Sequence, residues 1–309
     1  ITYGGTYTCT AGATYTNSVT IWYADKGTTT DYTQATGWTT TPKTAAGAYW
    51  IKAVCNGNRN YNAAEASKSL TINPKTLTAT VNGTLTYGQH FDEMQLTITY
   101  TGFVSNDAGA TIERDDSKLK PTLTDTTLNE NQLAVKADGY ALTLPVENGH
   151  IAGLTSPNYT IVASGNSRLT VLPKRISAKI GTNSSSSYSE AIALDPTELV
   201  QLNSEDLASW DRAQGVAVLD IVLSVNANAS SGVGLYSITG TARNANYDVT
   251  FEAGSHQITP LKIRVEITIE DGVYGGLIDV VKEVKIFKDG TGEPMAADTF
   301  ATSILYTGT

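Results

Sequence analysis

The chain repeats itself, and that limits its architecture more than any other feature. Three segments close alike. Asn60-Tyr61 leads to Leu70-Thr71-Ile72-Asn73-Pro74-Lys75, and Asn158-Tyr159 leads to Leu169-Thr170-Val171-Leu172-Pro173-Lys174. Asn246-Tyr247 leads to Gln257-Ile258-Thr259-Pro260-Leu261-Lys262. The Tyr-to-Pro separations are 74 − 61 = 13, 173 − 159 = 14 and 260 − 247 = 13. Each closing segment follows a strand led by Gly and Tyr: Gly47-Ala48-Tyr49, Gly139-Tyr140 or Gly234-Leu235-Tyr236. A tyrosine also marks each opening, at Tyr3-Gly4, Tyr87-Gly88, Tyr188-Ser189 and Tyr274-Gly275. Self-similarity at this period reads as a string of like modules. The expected units are 1–74, 75–173, 174–260 and 261–309. The first lacks the strand that precedes the opening tyrosine elsewhere. The last stops 309 − 274 = 35 residues past its opening tyrosine, so the chain reads as a piece of a longer array.

The modules are built of strands. About one residue in seven is threonine, which suits a pleated, half-wet surface. Leu77-Ala79-Val81 and Leu96-Ile98-Tyr100 alternate with polar residues at period 2. Asn82-Gly83, Asp138-Gly139, Asp271-Gly272 and Asp289-Gly290 supply turn signals. Only Ser204 to Ala213 favours a helical turn or two, and Ser184–Ser187 reads as a surface loop. The expected class is all-β, and units of about 90 residues suit tandem immunoglobulin-like sandwiches. A single proline joins one unit to the next with no Gly/Ser linker, which implies an elongated rod.

Charge and composition exclude several functions. Lys+Arg 21 against Asp+Glu 30 gives −9, the wrong sign for a nucleic-acid partner. No run approaches 18 apolar residues, so no membrane insertion is expected here. Three dispersed histidines, His90, His150 and His256, offer no ligand spacing, and His256 is expected on a wet face. Asp115-Asp116 and Glu205-Asp206 read as solvated acidic faces. No hydrolase, zincin or phosphate-loop motif is present, so no enzyme, cofactor or metal is expected.

The second unit carries Lys75-Thr76-Leu77-Thr78-Ala79, Thr86-Tyr87-Gly88, Leu96-Thr97-Ile98-Thr99-Tyr100-Thr101-Gly102-Phe103 and Pro157-Asn158-Tyr159-Thr160-Ile161. At these residues it resembles the MBG-type immunoglobulin-like repeats of bacterial cell-surface adhesin-like proteins. Ala46-Gly47-Ala48-Tyr49 and Asn60-Tyr61-Asn62 extend the resemblance to the first unit. It implies an extracellular stalk or adhesive segment at the bacterial surface, with neighbouring repeats as its first partners. It brings no catalytic residues.

The repeated Tyr49, Tyr61, Tyr140, Tyr159, Tyr236 and Tyr247 read as structural landmarks. Each is expected to bury its ring and keep its hydroxyl for a backbone partner. The asparagine of Asn-Tyr is read as a left-handed turn residue that bonds its own backbone. Tyr49, Ile51, Ala53 and Cys55 share an inward face by alternation, and Cys9 follows Tyr7, so a Cys9–Cys55 disulfide is one reading and two buried thiols the other. Three of the 4 tryptophans fall in the first unit. If Trp22 and Trp50 share the outer face beside Lys52, they form a glycan-stacking candidate, with Asp25, Lys26 or Asn58 to meet hydroxyls. The rival reading packs the indoles under a loop. The first unit's charge of 5 − 3 = +2 favours contact with an acidic glycan such as mucin. A third reading makes the array the accessory of a secreted glycanase.

Overall fold

The structure is a computed structural model, and it describes residues 1–11, 19–105, 107, 112–269 and 281–295. Among the described residues the fold is all-β, with only short helical turns. It forms two compact units, Ile1–Pro173 and Lys174–Thr309. The turn signal Asp271-Gly272 and the fourth opening Tyr274-Gly275 lie outside the described residues.

In the first unit, β1 (Val19–Asp25), β2 (Gly47–Cys55) and β3 (Ala64–Ile72) make an antiparallel three-stranded sheet. The larger sheet is organised by the twelve-residue β4 (Lys75–Thr86), with β5 (Gln95–Thr101) antiparallel to it. The closing segment runs parallel to β4 in two pieces. β7 (Tyr159–Ala163) pairs with Lys75–Ala79, and β8 (Arg168–Leu172) pairs with Gly83–Thr86. The offset grows from 159 − 75 = 84 to 169 − 83 = 86, so two extra residues are absorbed between the pieces. Side chains hold this slip. The Thr80 hydroxyl donates to Ser164 Oγ (2.8 Å), Val81 N–H to Ser167 Oγ (3.1 Å) and Arg168 N–H to Asn82 Oδ1 (3.0 Å). β6 (Tyr140–Thr143) flanks β8. Alternation puts Leu77, Ala79 and Val81 in the core with Leu144, Ile151, Leu154 and Ile161, and Leu96, Ile98 and Tyr100 pack against it.

The second unit builds the same pairing from an interrupted opening strand. β9 (Lys174–Ile180) runs parallel to β13 (Tyr247–Glu252), and β10 (Ser184–Ser187) runs parallel to β14 (Gly254–Thr259). β14 is antiparallel to β12 (Gly234–Ala242), which pairs with β11 (Ile221–Val225). Ser184–Ser187 is therefore a strand and not the expected loop. His256 is fully buried, against the expected wet face. Ser184 and Ser186 lie two residues apart on β10, so both face His256. Their hydroxyls stand 2.8 Å from Nδ1 and 2.9 Å from Nε2. The polar ring is buried because both nitrogens are satisfied. Helical turns occur at Ser204–Asp206 and Arg212–Leu219, and a short α-helix at Pro196–Leu199. Beyond them, β15 (Ile263–Ile269) pairs with β16 (Val281–Lys288). Lys288 reaches Glu190 at 2.7 Å and holds its carboxyl below the usual range.

The landmark residues have specific tasks. Gly4, Gly88 and Ser189, each following an opening tyrosine, have φ of +80°, +96° and +67°. Glycine tolerates that region freely, and serine does so at a cost. Tyr49 donates its hydroxyl to Ala45 C=O (2.8 Å), Tyr140 to Ala134 C=O (2.8 Å) and Tyr236 to Gly232 C=O (2.9 Å). Tyr159 accepts from Val104 N–H (2.9 Å) and donates to Asp107 Oδ2 (2.7 Å). Tyr247 accepts from Ala208 N–H (3.0 Å) and donates to Asp211 Oδ2 (2.6 Å). The acid lies three residues after the donor in both. Asn158 has no left-handed backbone. Its carbonyl accepts from Lys75 N–H, and its Oδ1 accepts from Ala46 N–H (2.9 Å), tying the first three-stranded sheet to the β4 sheet. Tyr3 strengthens that joint. Its hydroxyl donates to Asp107 (2.8 Å) and its ring meets Tyr159 edge-on at 5.3 Å.

Candidate functional site

The two tryptophans of the first sheet share one face. Cross-strand pairs place Trp22 opposite Lys52 and Ala24 opposite Trp50, so Trp22, Trp50 and Lys52 point the same way. Tyr23 and Tyr49 are buried on the other face. A loop then folds back over the indoles. Thr29 Oγ1 accepts from Trp50 Nε1–H (3.0 Å) and donates to Lys26 C=O (2.6 Å). Asp31 caps the single 3-10 turn Tyr32–Gln34 through Thr33 N–H, and this sets the Tyr32 ring edge-on to Trp50 at 6.4 Å. A bridge from Tyr23 to Thr39 returns the loop to the sheet. Trp38 donates Nε1–H to Ala35 C=O (3.0 Å).

Charge is threaded between the rings. Lys26 Nζ sits 4.6 Å from the Trp50 ring centre, and Lys52 Nζ sits 4.5 Å from that of Trp38. Lys52 also pairs with Glu65 at 3.8 Å, and the Tyr32 hydroxyl donates to Glu65 Oε1 (2.8 Å). The Glu65 contact raises the Tyr32 phenol above its ordinary value. The result is an alternating cation–aromatic cluster in which all three indoles are half-buried. Its ammonium groups occupy ring faces that a sugar would need, and they give an acidic group two partners.

The other polar candidates do not join it. Asp25 faces away and pairs with Lys43 at 3.1 Å. Asn58 Oδ1 accepts from Asn60 and Tyr61 N–H within its own turn. The Cys9–Cys55 disulfide is not formed, and both cysteines are half-buried free thiols. Cys9 lies beside the Tyr23 hydroxyl, whereas Cys55 pairs with Val19, four residues along β1. Burial, with the Cys9 thiol second, pushes the Tyr23 phenol up to about 12. Tyr61 departs from the expected burial. Its ring is 45% exposed, whereas Tyr159 and Tyr247 are 4% and 5% exposed.

Sequence reasoning missed one cleft. An open hollow of about 560 Å³ beside β7 is lined by Glu113, Arg114, Asp115, Lys118, Glu147 and His150 among others. Its residues come from turns far apart in sequence, so no local pattern announces it. Asp115 accepts from the Ser117 hydroxyl and N–H, which lowers its pKa. Asp116 pairs with Arg114, and Glu205 pairs with Arg212 at 2.9 Å. Among the described residues, no group of three or more His, Cys, Asp or Glu is placed to hold a metal ion, and no helix is long and apolar enough to cross a membrane.

No protein-family model matches the chain, and no curated protein does. Among solved structures, the cadherin-like domains 1 to 4 of zebrafish RET are 10% identical over 78% of the chain, with a TM-score of 0.16. The Bacteroides ovatus mixed-linkage glucan utilization locus SGBP-B, solved with a mixed-linkage heptasaccharide, is 10% identical over 83%, with a TM-score of 0.15. The chain covers 65% of the length of each. Scores this low carry no argument about fold or function.

Proposed function

We propose that the chain is a non-enzymatic stalk segment of a large bacterial surface protein, made of tandem immunoglobulin-like modules in an elongated rod. One observation carries this reading: the joint between residues 1–74 and 75–173 is built, not loose. Asn158 binds Ala46, and Tyr3 binds Asp107 while packing on Tyr159. A joint with paired polar groups and a shared aromatic contact resists bending, as a spacer must. The expected modules are 1–74, 75–173, 174–260 and the incomplete 261–309, and the expected location is the bacterial cell surface. Small-angle scattering of the whole chain tests the reading. A rod-like distance distribution is expected, and a compact globular one refutes it.

The Trp22, Trp50 and Lys52 face supports a second reading, recognition of an acidic host or dietary glycan such as mucin. The observation in its favour is the pair of lysines set against the indoles. Binding of the chain to an immobilised mucin and polysaccharide panel, lost in Trp22→Ala/Trp50→Ala, is the expected result. Binding unchanged in that variant removes the site. The accessory role beside a glycanase has no observation of its own.

A further inference from the structure

The outer face of the first sheet carries side chains that the same face does without elsewhere in the chain. The strand led by Gly and Tyr pairs with the strand before it in three segments, and the pairs Tyr23–Ile51, Leu123–Leu142 and Val225–Ile238 correspond. The outward pairs beside them are Trp22–Lys52, Thr122–Thr143 and Ser224–Thr239. Trp50, next after Tyr49, corresponds to Ala141 and Ser237. Two of the three segments therefore form this pairing with small residues alone, and the fold does not require two indoles and an ammonium there. The connection that covers them is also the longest of the three. It has 47 − 25 − 1 = 21 residues between Asp25 and Gly47, against 140 − 123 − 1 = 16 between Leu123 and Tyr140 and 234 − 225 − 1 = 8 between Val225 and Gly234. A long connection tied down by its own side chains is where a rigid scaffold places recognition.

That connection and β2 hold a carboxylate of β3 between them. Glu65 lies opposite Val54, and its Oε1 accepts from the Tyr32 hydroxyl (2.8 Å) while Oε2 stands 3.8 Å from Lys52 Nζ. A charge-assisted hydrogen bond spans about 2.7–2.9 Å, so the ammonium holds Glu65 loosely. The Lys52 side chain is 21% exposed and that of Glu65 is 42% exposed. The cation is thus set into the face, and the carboxylate has room to turn outward. Lys26 is anchored by its N–H to Ala48 C=O (2.9 Å) and lays its ammonium on Trp50 at 4.6 Å. Among the described residues no carboxylate pairs with it: Asp25 turns to Lys43, and Asp31 accepts from Thr33 N–H. The indoles fix two ammoniums that would otherwise sample many rotamers.

We infer that Glu65 occupies the place of a ligand's acid group, and that an acidic sugar binds here by displacing it. The inference rests on the acidic-glycan reading of this face and gives that reading a means of selection. The chemistry of recognition is already assembled: one hydroxyl donor and one ammonium around a carboxylate. A sugar carboxylate or sulfate takes the same two partners, Glu65 turns to solvent, and Lys26 supplies a second cation that Glu65 does not use. The indoles are positioning residues in this scheme. Ammoniums lie on their faces, so they present cations and do not stack on the sugar. An internal acid that must leave first weakens binding by the fraction of time for which it holds the site. It also rejects neutral sugars, which cannot replace the charge they would remove.

The test measures binding of the full chain to trigalacturonate, to a sulfated N-acetyllactosamine and to neutral galactotriose. Glu65→Gln keeps an acceptor for Tyr32 and removes the competing charge. It is expected to tighten binding of an anionic probe by about three- to tenfold, with galactotriose bound by neither form. The anionic probe preferred assigns the acid as carboxylate or sulfate. Tyr32→Phe and Lys52→Met should each weaken that probe by roughly fivefold or more, and Glu65→Gln should gain nothing in the Lys52→Met background. The indole N–H signals of Trp38 and Trp50 check that each variant is folded, and they should shift on binding. Unchanged affinity in Glu65→Gln overturns the inference. So does an equal gain from Glu147→Gln, which changes the overall charge at a hairpin outside this face. Binding that is lost in Trp22→Ala/Trp50→Ala but indifferent to Glu65→Gln and Tyr32→Phe keeps the acidic-glycan reading and refutes displacement. No binding by the wild type or by Glu65→Gln refutes both.

Discussion

Removing one oxygen from each of three equivalent tyrosines gives a graded response that the geometry fixes in advance. Tyr247→Phe strips Ala208 N–H of its acceptor and Asp211 of its 2.6 Å donor, and Ala208 and Asp211 are 1% and 5% exposed. Leaving a buried amide unsatisfied and weakening a buried carboxylate costs about 2–3 kcal/mol. Tyr159→Phe removes the same pair of bonds from Val104 and Asp107, but both are half-buried and Asp107 keeps its bond from Tyr3. The expected cost there is about 1–2 kcal/mol. Tyr61→Phe alters an exposed ring and should stay within about 0.5 kcal/mol. Two compact units need not unfold together, so a single denaturation midpoint is the wrong observable. Native-state amide exchange against urea reads each ladder separately. At about 1.4 kcal/mol per tenfold, Tyr247→Phe should speed exchange of the Lys174–Lys179 ladder roughly 30- to 150-fold. The Lys75–Ala79 ladder should be unmoved by that variant, and Tyr159→Phe should speed it by about 5- to 30-fold. If Tyr61→Phe matches Tyr159→Phe, or Tyr247→Phe costs nothing, the hydroxyls are ornaments and the reasoning fails.

Ser184→Ala/Ser186→Ala should loosen the β10–β14 pairing, because both nitrogens of the fully buried His256 lose their partners. A penalty of about 2–4 kcal/mol is expected in exchange at His256–Thr259, and each single variant should cost about half as much. The Glu190–Lys288 contact predicts a pH dependence of definite sign. The folded carboxyl sits below the usual glutamate value because of Lys288 and the Ser187 N–H. Its contribution is therefore present above the ordinary glutamate pKa and fades as pH falls through the depressed folded value. A carboxyl-resolved NMR titration should find Glu190 titrating below the ordinary glutamate value, and Lys288→Met should bring it back toward that value.

Local pattern carried the strand assignments well because period-2 alternation is a property of neighbouring residues. Leu77, Ala79 and Val81 are core residues for that reason, and the positive φ of Gly4 and Gly88 follows from the same local logic. Ser184–Ser187 was illegible as a strand because serine signals loops, and its partner His256 lies 72 residues away. Only the pairing makes four polar residues a ladder. The buried carboxylate partner of Tyr247 was hidden for a like reason, since Asp211 sits among acidic and helical-turn residues that read as surface. At the candidate site, alternation correctly put Trp22, Trp50 and Lys52 on one face, but the overlying loop, with Thr29 and Tyr32 tied to Trp50 and Glu65, depends on contacts between elements. Cys9 and Cys55 shared a sheet region without sharing a position along it, a distinction that sequence spacing does not contain.

The parallel pairing of opening and closing strands also decides how each segment answers a pull. In the second unit, Lys174 begins the opening strand and Thr259 ends the closing one, and the two run side by side in the same direction. Tension applied through the chain at those points drags the strands past one another along their length. The hydrogen bonds of β9 with β13 share the load as one block and those of β10 with β14 as a second, and each block must fail as a group. A hairpin pulled from its open end gives them up one at a time. The two-residue slip between β7 and β8 divides the corresponding ladder of the first unit into two such load-sharing blocks, with Ser164, Ser167 and Asn82 clamped at the division. Under tension, the chain should therefore yield in discrete steps set by these blocks.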